Sequence, residues 1–107
     1  MIARTWHGVV PVEKAAAYAE FLAQRAIPDY TSTPGNRGVY IMRRTEGRQA
    51  HFLLLSLWDS EAAIRAFAGD RIELARYYPE DPSFLVEMEP FVTHYEVLSA
   101  PRAASER

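Results

Sequence analysis

The sequence predicts an α+β fold of the ferredoxin-like type, in which two helices cover one face of an antiparallel four-stranded sheet. Four alternating or continuous apolar runs predict strands, and two runs with three- and four-residue apolar spacing predict helices. Their order is strand, helix, strand, strand, helix, strand, which is the βαββαβ arrangement of a split βαβ sandwich. A chain of 107 residues suits one domain. We expect that domain at residues 1–98 and a disordered polar tail at residues 99–107.

The first part of the chain supplies a strand, a helix and a hairpin. The first strand is predicted at residues 2–10, and Pro11 suits the start of the helix. An alanine-rich apolar stripe predicts that helix over residues 13–26, and Pro28 with residues 29–38 predicts a loop. Residues 39–44 and 51–58 then predict two strands joined by a short polar turn.

The stretch at residues 51–70 has the clearest pattern. Its first part is almost continuously apolar, which is typical of a strand covered on both faces. Asp59 or Ser60 can cap the helix that follows, Phe67 lies on its apolar stripe, and Gly69 can end it. Because a chain this short leaves little to cover the second face, the pattern predicts a homodimer with two sheets packed face to face.

The last part of the chain is less regular. Residues 71–78 predict a short helical run ended by Pro79, residues 79–90 an irregular connection, and residues 91–98 the fourth strand. The connection carries four carboxylates, which we interpret as part of a solvated loop: Glu80, Asp81, Glu87 and Glu89.

Composition argues against several classes of protein. Hydrophobic residues make up 49% and charged residues 24% of the chain, as in ordinary globular proteins. A net charge of −2 gives no basic field for nucleic acid. We see no leader-like segment and no apolar run of membrane-spanning length, so we expect a cytoplasmic protein with neither a membrane nor a nucleic-acid partner.

Proton transfer at neutral pH is most readily assigned to histidine, with tyrosine as a further candidate. His7, His51 and His94 lie on predicted strands, and Tyr77 lies at the end of the short helical run. These four are the candidate catalytic residues, and a structural hydrogen-bonding role is the alternative for each histidine. The histidines show no HxxxH or HxH spacing, so we predict no metal site.

The chain has more aromatic surface than a small core needs. Such rings form either core or the wall of a flat apolar cavity between sheet and helices. The candidate substrate-binding residues are Trp6, Trp58, Phe67, Tyr78 and Phe84. No phosphate-binding glycine loop or dinucleotide fingerprint appears, which disfavours organic cofactors with large phosphate groups.

A resemblance to a known family rests on short motifs around the third strand: Leu57-Trp58-Asp59-Ser60, Glu61-Ala62, Phe67, and Pro34-Gly35 before the second strand. These residues resemble the antibiotic biosynthesis monooxygenase superfamily. The resemblance implies a dimeric α/β barrel of two ferredoxin-like halves, with one pocket per subunit for a small aromatic ligand. It also implies a monooxygenase that oxidises a phenol or quinol-like compound with O₂ and without metal or flavin.

Haem-degrading relatives differ from this sequence in the residues that hold haem. Those relatives use an Asn on the first strand, a Trp on the second helix and a His near the end of that helix. Here the only Asn is Asn36, and the helix positions correspond to Phe67 and Tyr77, so the resemblance implies no haem and no other cofactor. A non-catalytic dimer that binds a small ligand and an isomerase on the same scaffold are the alternatives to a monooxygenase.

Overall fold

The computed structural model describes residues 1–101 and contains a four-stranded sheet with the order β2-β3-β1-β4. The strands are β1 (Ile2–Pro11), β2 (Asn36–Glu46), β3 (Gln49–Trp58) and β4 (Thr93–Glu96). The helices are α1 (Ala15–Phe21), α2 (Ile27–Thr31) and α3 (Glu61–Ala68), and a π-helical turn (Leu22–Ala26) joins α1 to α2. The predicted ferredoxin-like fold is confirmed. Most of the predicted tail, residues 102–107, lies outside the described residues.

The central pair of strands sets the register of the sheet. β1 and β3 are antiparallel over their whole length, from Ile2 opposite Trp58 to Pro11 opposite Gln49. β4 pairs only with residues 2–5 of β1, so it is shorter than the predicted span of 91–98. β2 runs beyond the predicted span of 39–44 at both ends, and a bulge interrupts its pairing with β3 before Val39.

The first helical segment is longer than predicted because it continues through Pro28 to the end of α2. A proline inside a helix removes one backbone hydrogen bond, and its ring crowds the carbonyl group four residues earlier. The π-helical turn ends just before α2, and its wider winding accommodates the proline. Tyr30 therefore lies on a helix and is buried, although the sequence pattern predicts a loop there.

The prediction of a helical run at residues 71–78 is wrong. The segment is irregular, and its backbone groups bond to residues far away in the chain. The Ala75 N–H donates to the Pro90 carbonyl oxygen at 2.8 Å. The Arg4 guanidinium donates to the carbonyl oxygens of Ile72 and Leu74 at 2.6 and 3.2 Å. These long-range partners satisfy backbone groups that a helix would pair locally.

The predicted start and end of α3 are confirmed. The Ser60 Oγ accepts a hydrogen bond from the Ala63 N–H at 3.1 Å, which caps the helix. Gly69 follows with φ of 93°, a backbone conformation that a residue with a Cβ rarely adopts. Ile64 and Phe67 are buried on the side that faces the sheet.

The helices cover one face of the sheet and leave the other open. Exposed apolar side chains lie on the open face, with exposed fractions of 54% for Tyr40, 41% for Met42, 37% for Leu53 and 58% for Tyr95. This is the face that the sequence pattern assigns to a second copy of the chain. Within residues 1–101, no helix is both long and apolar enough to cross a membrane.

Candidate functional site

An aromatic cavity lies between the covered face of the sheet and the first helical segment. Its lining residues are Trp6, Tyr18, Leu22, Tyr30, Leu54, Phe67, Arg76, Tyr78 and Asp81. The cavity is small: its accessible volume of about 10 Å³ gives room for about one water molecule. A larger ligand therefore enters only when lining side chains move.

The rigid wall of the cavity comes from the end of β3 and from α3. The Phe67 ring packs against Tyr30, with ring centroids 4.5 Å apart, and against Trp58, with centroids 5.2 Å apart. Trp58 is fully buried, and its Nε1–H donates to the Ser56 Oγ at 2.8 Å. Trp58 thus supports the cavity wall from behind.

The mouth of the cavity is closed by a polar network. Asp29 Oδ2 accepts hydrogen bonds from Arg76 Nη1 and from the Tyr78 hydroxyl, the latter at 2.6 Å. Burial alone would raise the pKa of Asp29, but the hydrogen bonds from Tyr78 and Arg76 outweigh it and lower that pKa below its usual value. The Arg76 guanidinium carbon lies 4.6 Å from the Phe67 ring centroid, so a positive charge stands over the aromatic wall.

Asp81 provides a carboxylate inside the cavity. Its Oδ1 accepts a hydrogen bond from the Tyr18 hydroxyl at 3.0 Å, and its Oδ2 accepts one from the Tyr78 N–H at 2.7 Å. The side chain is 2% exposed, so the interpretation of this position as part of a solvated loop is wrong. Burial raises the pKa of Asp81 above its usual value in spite of these bonds, which makes the carboxylate a candidate proton acceptor.

Arg4 adds a second positive charge behind the cavity wall. It is 2% exposed, its guanidinium carbon lies 6.0 Å from the Phe67 ring centroid, and burial lowers its pKa. The guanidinium donates to backbone carbonyls, and its Nη1 lies 3.1 Å from His94 Nε2. Among the described residues it forms no ion pair with a carboxylate, and its Nε has no hydrogen-bond partner.

Three of the candidate substrate-binding residues, Trp6, Phe67 and Tyr78, line the cavity. Trp58 lies behind it. Phe84 is not a lining residue, and its ring packs against Tyr18 with centroids 5.0 Å apart. The aromatic stripes of the sequence thus contribute both to the cavity and to the core.

The four candidate catalytic residues lie outside the cavity lining. The Tyr77 hydroxyl donates to the Glu89 carbonyl oxygen, and its ring lies edge-on to Trp6. His94 lies beside Arg4, and burial and that positive charge lower its pKa. His7 and His51 lie on the open face, where His7 Nε2 is 3.0 Å from His51 Nδ1.

The polar groups of the cavity are the residues that sequence reasoning missed. Asp29 lies on α2, whereas Arg76 and Asp81 lie in the connection between α3 and β4. The two regions meet only in the folded chain, so no local motif marks these residues. Arg4 carried a visible signal, because it lies two residues before Trp6 and therefore on the same, covered face of β1. A charged residue at such a position indicates a buried polar interaction.

Comparison with known proteins assigns the family. The sequence model of the antibiotic biosynthesis monooxygenases matches residues 9–71. The chain belongs to this family. No curated protein is similar enough in sequence to be matched.

Solved structures of this family and of haem degraders share the fold. A candidate antibiotic biosynthesis monooxygenase from Nitrosomonas europaea has a TM-score of 0.67 at 16% identity, covering 92% of this chain and 100% of that one. One from Bacillus cereus has a TM-score of 0.65 at 14% identity, covering 94% and 95%. The haem degrader MhuD from Mycobacterium tuberculosis, solved with two haems bound in its active site, has a TM-score of 0.64 at 19% identity, covering 94% and 99%. At such low sequence identity, the structural similarity establishes the common fold alone.

The residues of the cavity do not fit a haem group. Among the described residues, no histidine lines the cavity, so no imidazole is placed to ligate iron. Of the lining tyrosines, Tyr78 and Tyr18 already donate their hydroxyl hydrogens to Asp29 and Asp81 at 2.6 and 3.0 Å. Within residues 1–101, no group of three or more His, Asp or Glu side chains is arranged to hold a metal ion.

Proposed function

We propose that this member of the antibiotic biosynthesis monooxygenase family oxidises a small, electron-rich aromatic or quinol-like compound with O₂. The observation that carries the proposal is the aromatic cavity with a guanidinium at its mouth and a buried carboxylate inside. An apolar cavity with a few convergent polar groups is the usual form of a small-molecule site. The flat walls formed by Trp6 and Phe67 suit an aromatic ring.

The positive charges support the binding of a substrate anion. Arg76 stands over the Phe67 ring, and Arg4 lies behind it with no carboxylate partner in the described chain. Preorganised positive groups in a site that excludes water stabilise developing negative charge strongly. A phenol or an acidic methylene group that loses its proton here is therefore stabilised as an anion.

Asp81 is the proposed proton acceptor, and the Tyr18 hydroxyl bonded to it is the positioning group. The electron-rich anion then reduces O₂ directly. For a methylene flanked by two aromatic rings, one oxygen atom becomes the new carbonyl oxygen. The other oxygen atom leaves as water with the two methylene hydrogens, so atoms and electrons balance without a further reductant.

The activity is tested by O₂ uptake with a panel of hydroquinones and anthrones, using isotopically labelled O₂ to trace the product carbonyl. We expect uptake above the background rate, and a kcat/KM that rises with pH through the raised pKa of Asp81, because a base acts in its ionised form. Asp81→Asn should remove this limb of the pH profile. Glu80→Gln is the matched control, since Glu80 is an exposed neighbour in sequence. Background uptake over the whole panel would contradict the monooxygenase proposal and favour a ligand-binding protein.

The open face of the sheet supports a homodimer as the working form. Tyr40, Met42 and Leu53 expose apolar surface there, and large exposed patches of this kind mark interaction surfaces. Light scattering at micromolar concentration should give twice the mass of one chain, and Leu53→Glu should shift it towards one chain. Val12→Glu, at an exposed position next to α1, should leave the mass unchanged. A single-chain mass for the unmodified protein would refute the dimer.

A further inference from the structure

Two histidines from neighbouring strands form a polar cluster on the open face, separate from the cavity. His7 on β1 pairs with Leu53 and His51 on β3 pairs with Val9, so the two histidines are diagonal neighbours across the strands. Diagonal neighbours are about 7–8 Å apart, within reach of long side chains. His7 Nε2 and His51 Nδ1 approach to 3.0 Å.

The outer nitrogen of each imidazole faces a carboxylate. His7 Nδ1 lies 2.6 Å from Glu89 Oε2, and His51 Nε2 lies 3.9 Å from Glu46 Oε1. Glu89 is within hydrogen-bond distance and favours the N–H on His7 Nδ1, which leaves His7 Nε2 free as a ligand. Glu46 lies beyond hydrogen-bond distance of His51 and adds only its negative charge. In the metal-free chain the 3.0 Å contact is a hydrogen bond, with one proton between the two facing nitrogens. A divalent cation that replaces this proton accepts a lone pair from each ring.

We propose that this pair binds a borderline divalent metal ion of the Zn²⁺ type, with His7 Nε2 and His51 Nδ1 as its ligands and water completing the shell. Zinc–nitrogen bonds are about 2.0–2.1 Å long, so two such ligands lie about 2.9 Å apart at a right angle and about 3.3 Å apart at the tetrahedral angle. The observed separation of 3.0 Å falls between these values. The terminal torsions of both rings are broad, so rotation can direct the two lone pairs at one ion.

In a single chain the surroundings leave room for the ion and its water. The pair opens into a groove of about 300 Å³ that Met42, Leu53, Arg43 and Arg44 also line. Met42 and Leu53 belong to the face proposed for the homodimer, so a second copy of the chain would cover this groove and face the ion. Glu89 and Glu46 favour a cation, Arg43 opposes it, and Arg44 is paired with Glu46 at 3.3 Å. The imidazoles must be neutral to ligate, so affinity should fall as the pH is lowered. The histidines are far apart in the chain, which is why no local metal motif appears.

The test is calorimetric titration of the tag-free full chain with Zn²⁺ at neutral pH. We expect saturable binding of one ion per chain, or one per two chains if two grooves face each other, and a rise in Tm with Zn²⁺. His7→Gln and His51→Gln should each abolish the binding, and His94→Gln, on the other face, should keep it. Glu89 is a positioning residue, and Glu89→Gln should weaken binding by about 10–100-fold.

A second measurement uses the unmodified protein, so it does not depend on whether the variants fold. In the unmodified protein, Zn²⁺ should shift the imidazole nitrogen resonances of His7 and His51 and leave those of His94 in place. No saturable binding, or equal affinity in wild type and His7→Gln, would overturn the proposal and indicate that the pair holds a shared proton instead. Because the groove and the cavity lie on opposite faces, neither result depends on the oxygenase activity.

Discussion

Arg76→Met is expected to lower kcat/KM for O₂-dependent turnover by about 10²–10³-fold, the usual effect of removing one preorganised group that stabilises a developing anion. The guanidinium stands over Phe67 and is held by Asp29. Methionine keeps a side chain of similar length and apolar character but removes the charge and the hydrogen-bond donors. The loss should appear for anionic substrates in both kcat and kcat/KM.

Arg25→Met is the matched control for this substitution. The Arg25 guanidinium carbon lies 4.9 Å from the Tyr78 ring centroid, but Arg25 pairs with Glu80 and does not line the cavity. We expect its kcat/KM to stay within about twofold of wild type, since exposed ion pairs contribute little. Equal losses in the two variants would show that the effect of Arg76→Met is not specific to a charge in the cavity, and would contradict the proposed role of Arg76. Steady-state kinetics with a thermal melt for each variant separates these outcomes.

The elements that the sequence predicts well are those decided by local chemistry. The α3 helix is capped by Ser60 and ends before Gly69 as predicted, because a hydroxyl cap and a glycine with positive φ act on the residues next to them. The β1 and β3 strands are likewise predicted from their own residues, loosely alternating in β1 and almost continuously apolar in β3, and the two pair over their whole length. In each case the deciding residues lie within the element or next to it.

The errors arise where distant residues decide the local structure. Residues 71–78 carry helix-forming side chains, but the Arg4 side chain on β1 binds the backbone oxygens of Ile72 and Leu74. Tertiary contacts of this kind override weak helix propensity. In the same way, Pro28 suggests the end of a helix, but a π-helical turn precedes it and α2 runs through it to Thr31.

The candidate site was predictable in its aromatic walls but not in its charges. Trp6 and Phe67 occupy regular apolar positions, so the pattern indicates that they face the covered side. Asp81 belongs to a run of acidic residues that are otherwise exposed or half-buried, and its burial depends on Tyr18 of α1. A carboxylate that is buried against a helix far away in the chain has no signature of its own in the sequence.

Trp58→Ala is expected to lower the free energy of unfolding by about 3–5 kcal/mol, the usual cost of truncating a buried tryptophan. Trp58 is fully buried, supports the Phe67 ring at 5.2 Å and donates to Ser56. Removing it leaves a void behind the cavity wall and the Ser56 hydroxyl without its donor. Chemical denaturation at fixed protein concentration measures the loss, because assembly affects apparent stability.

Two further variants complete the test of Trp58. One controls for stability, and the other decides whether Trp58 only supports Phe67 or also contacts the substrate. Phe91→Ala removes another aromatic ring, but Phe91 is 59% exposed, so its cost should stay within about 0.5 kcal/mol. Trp58→Phe keeps most of the ring packing and loses only the hydrogen bond to Ser56. If Trp58→Phe folds stably and retains kcat/KM, Trp58 is a support for Phe67, as its burial indicates. If the variant is stable but loses kcat/KM by tenfold or more, the indole contacts the substrate, and the cavity must open as far as Trp58 during turnover.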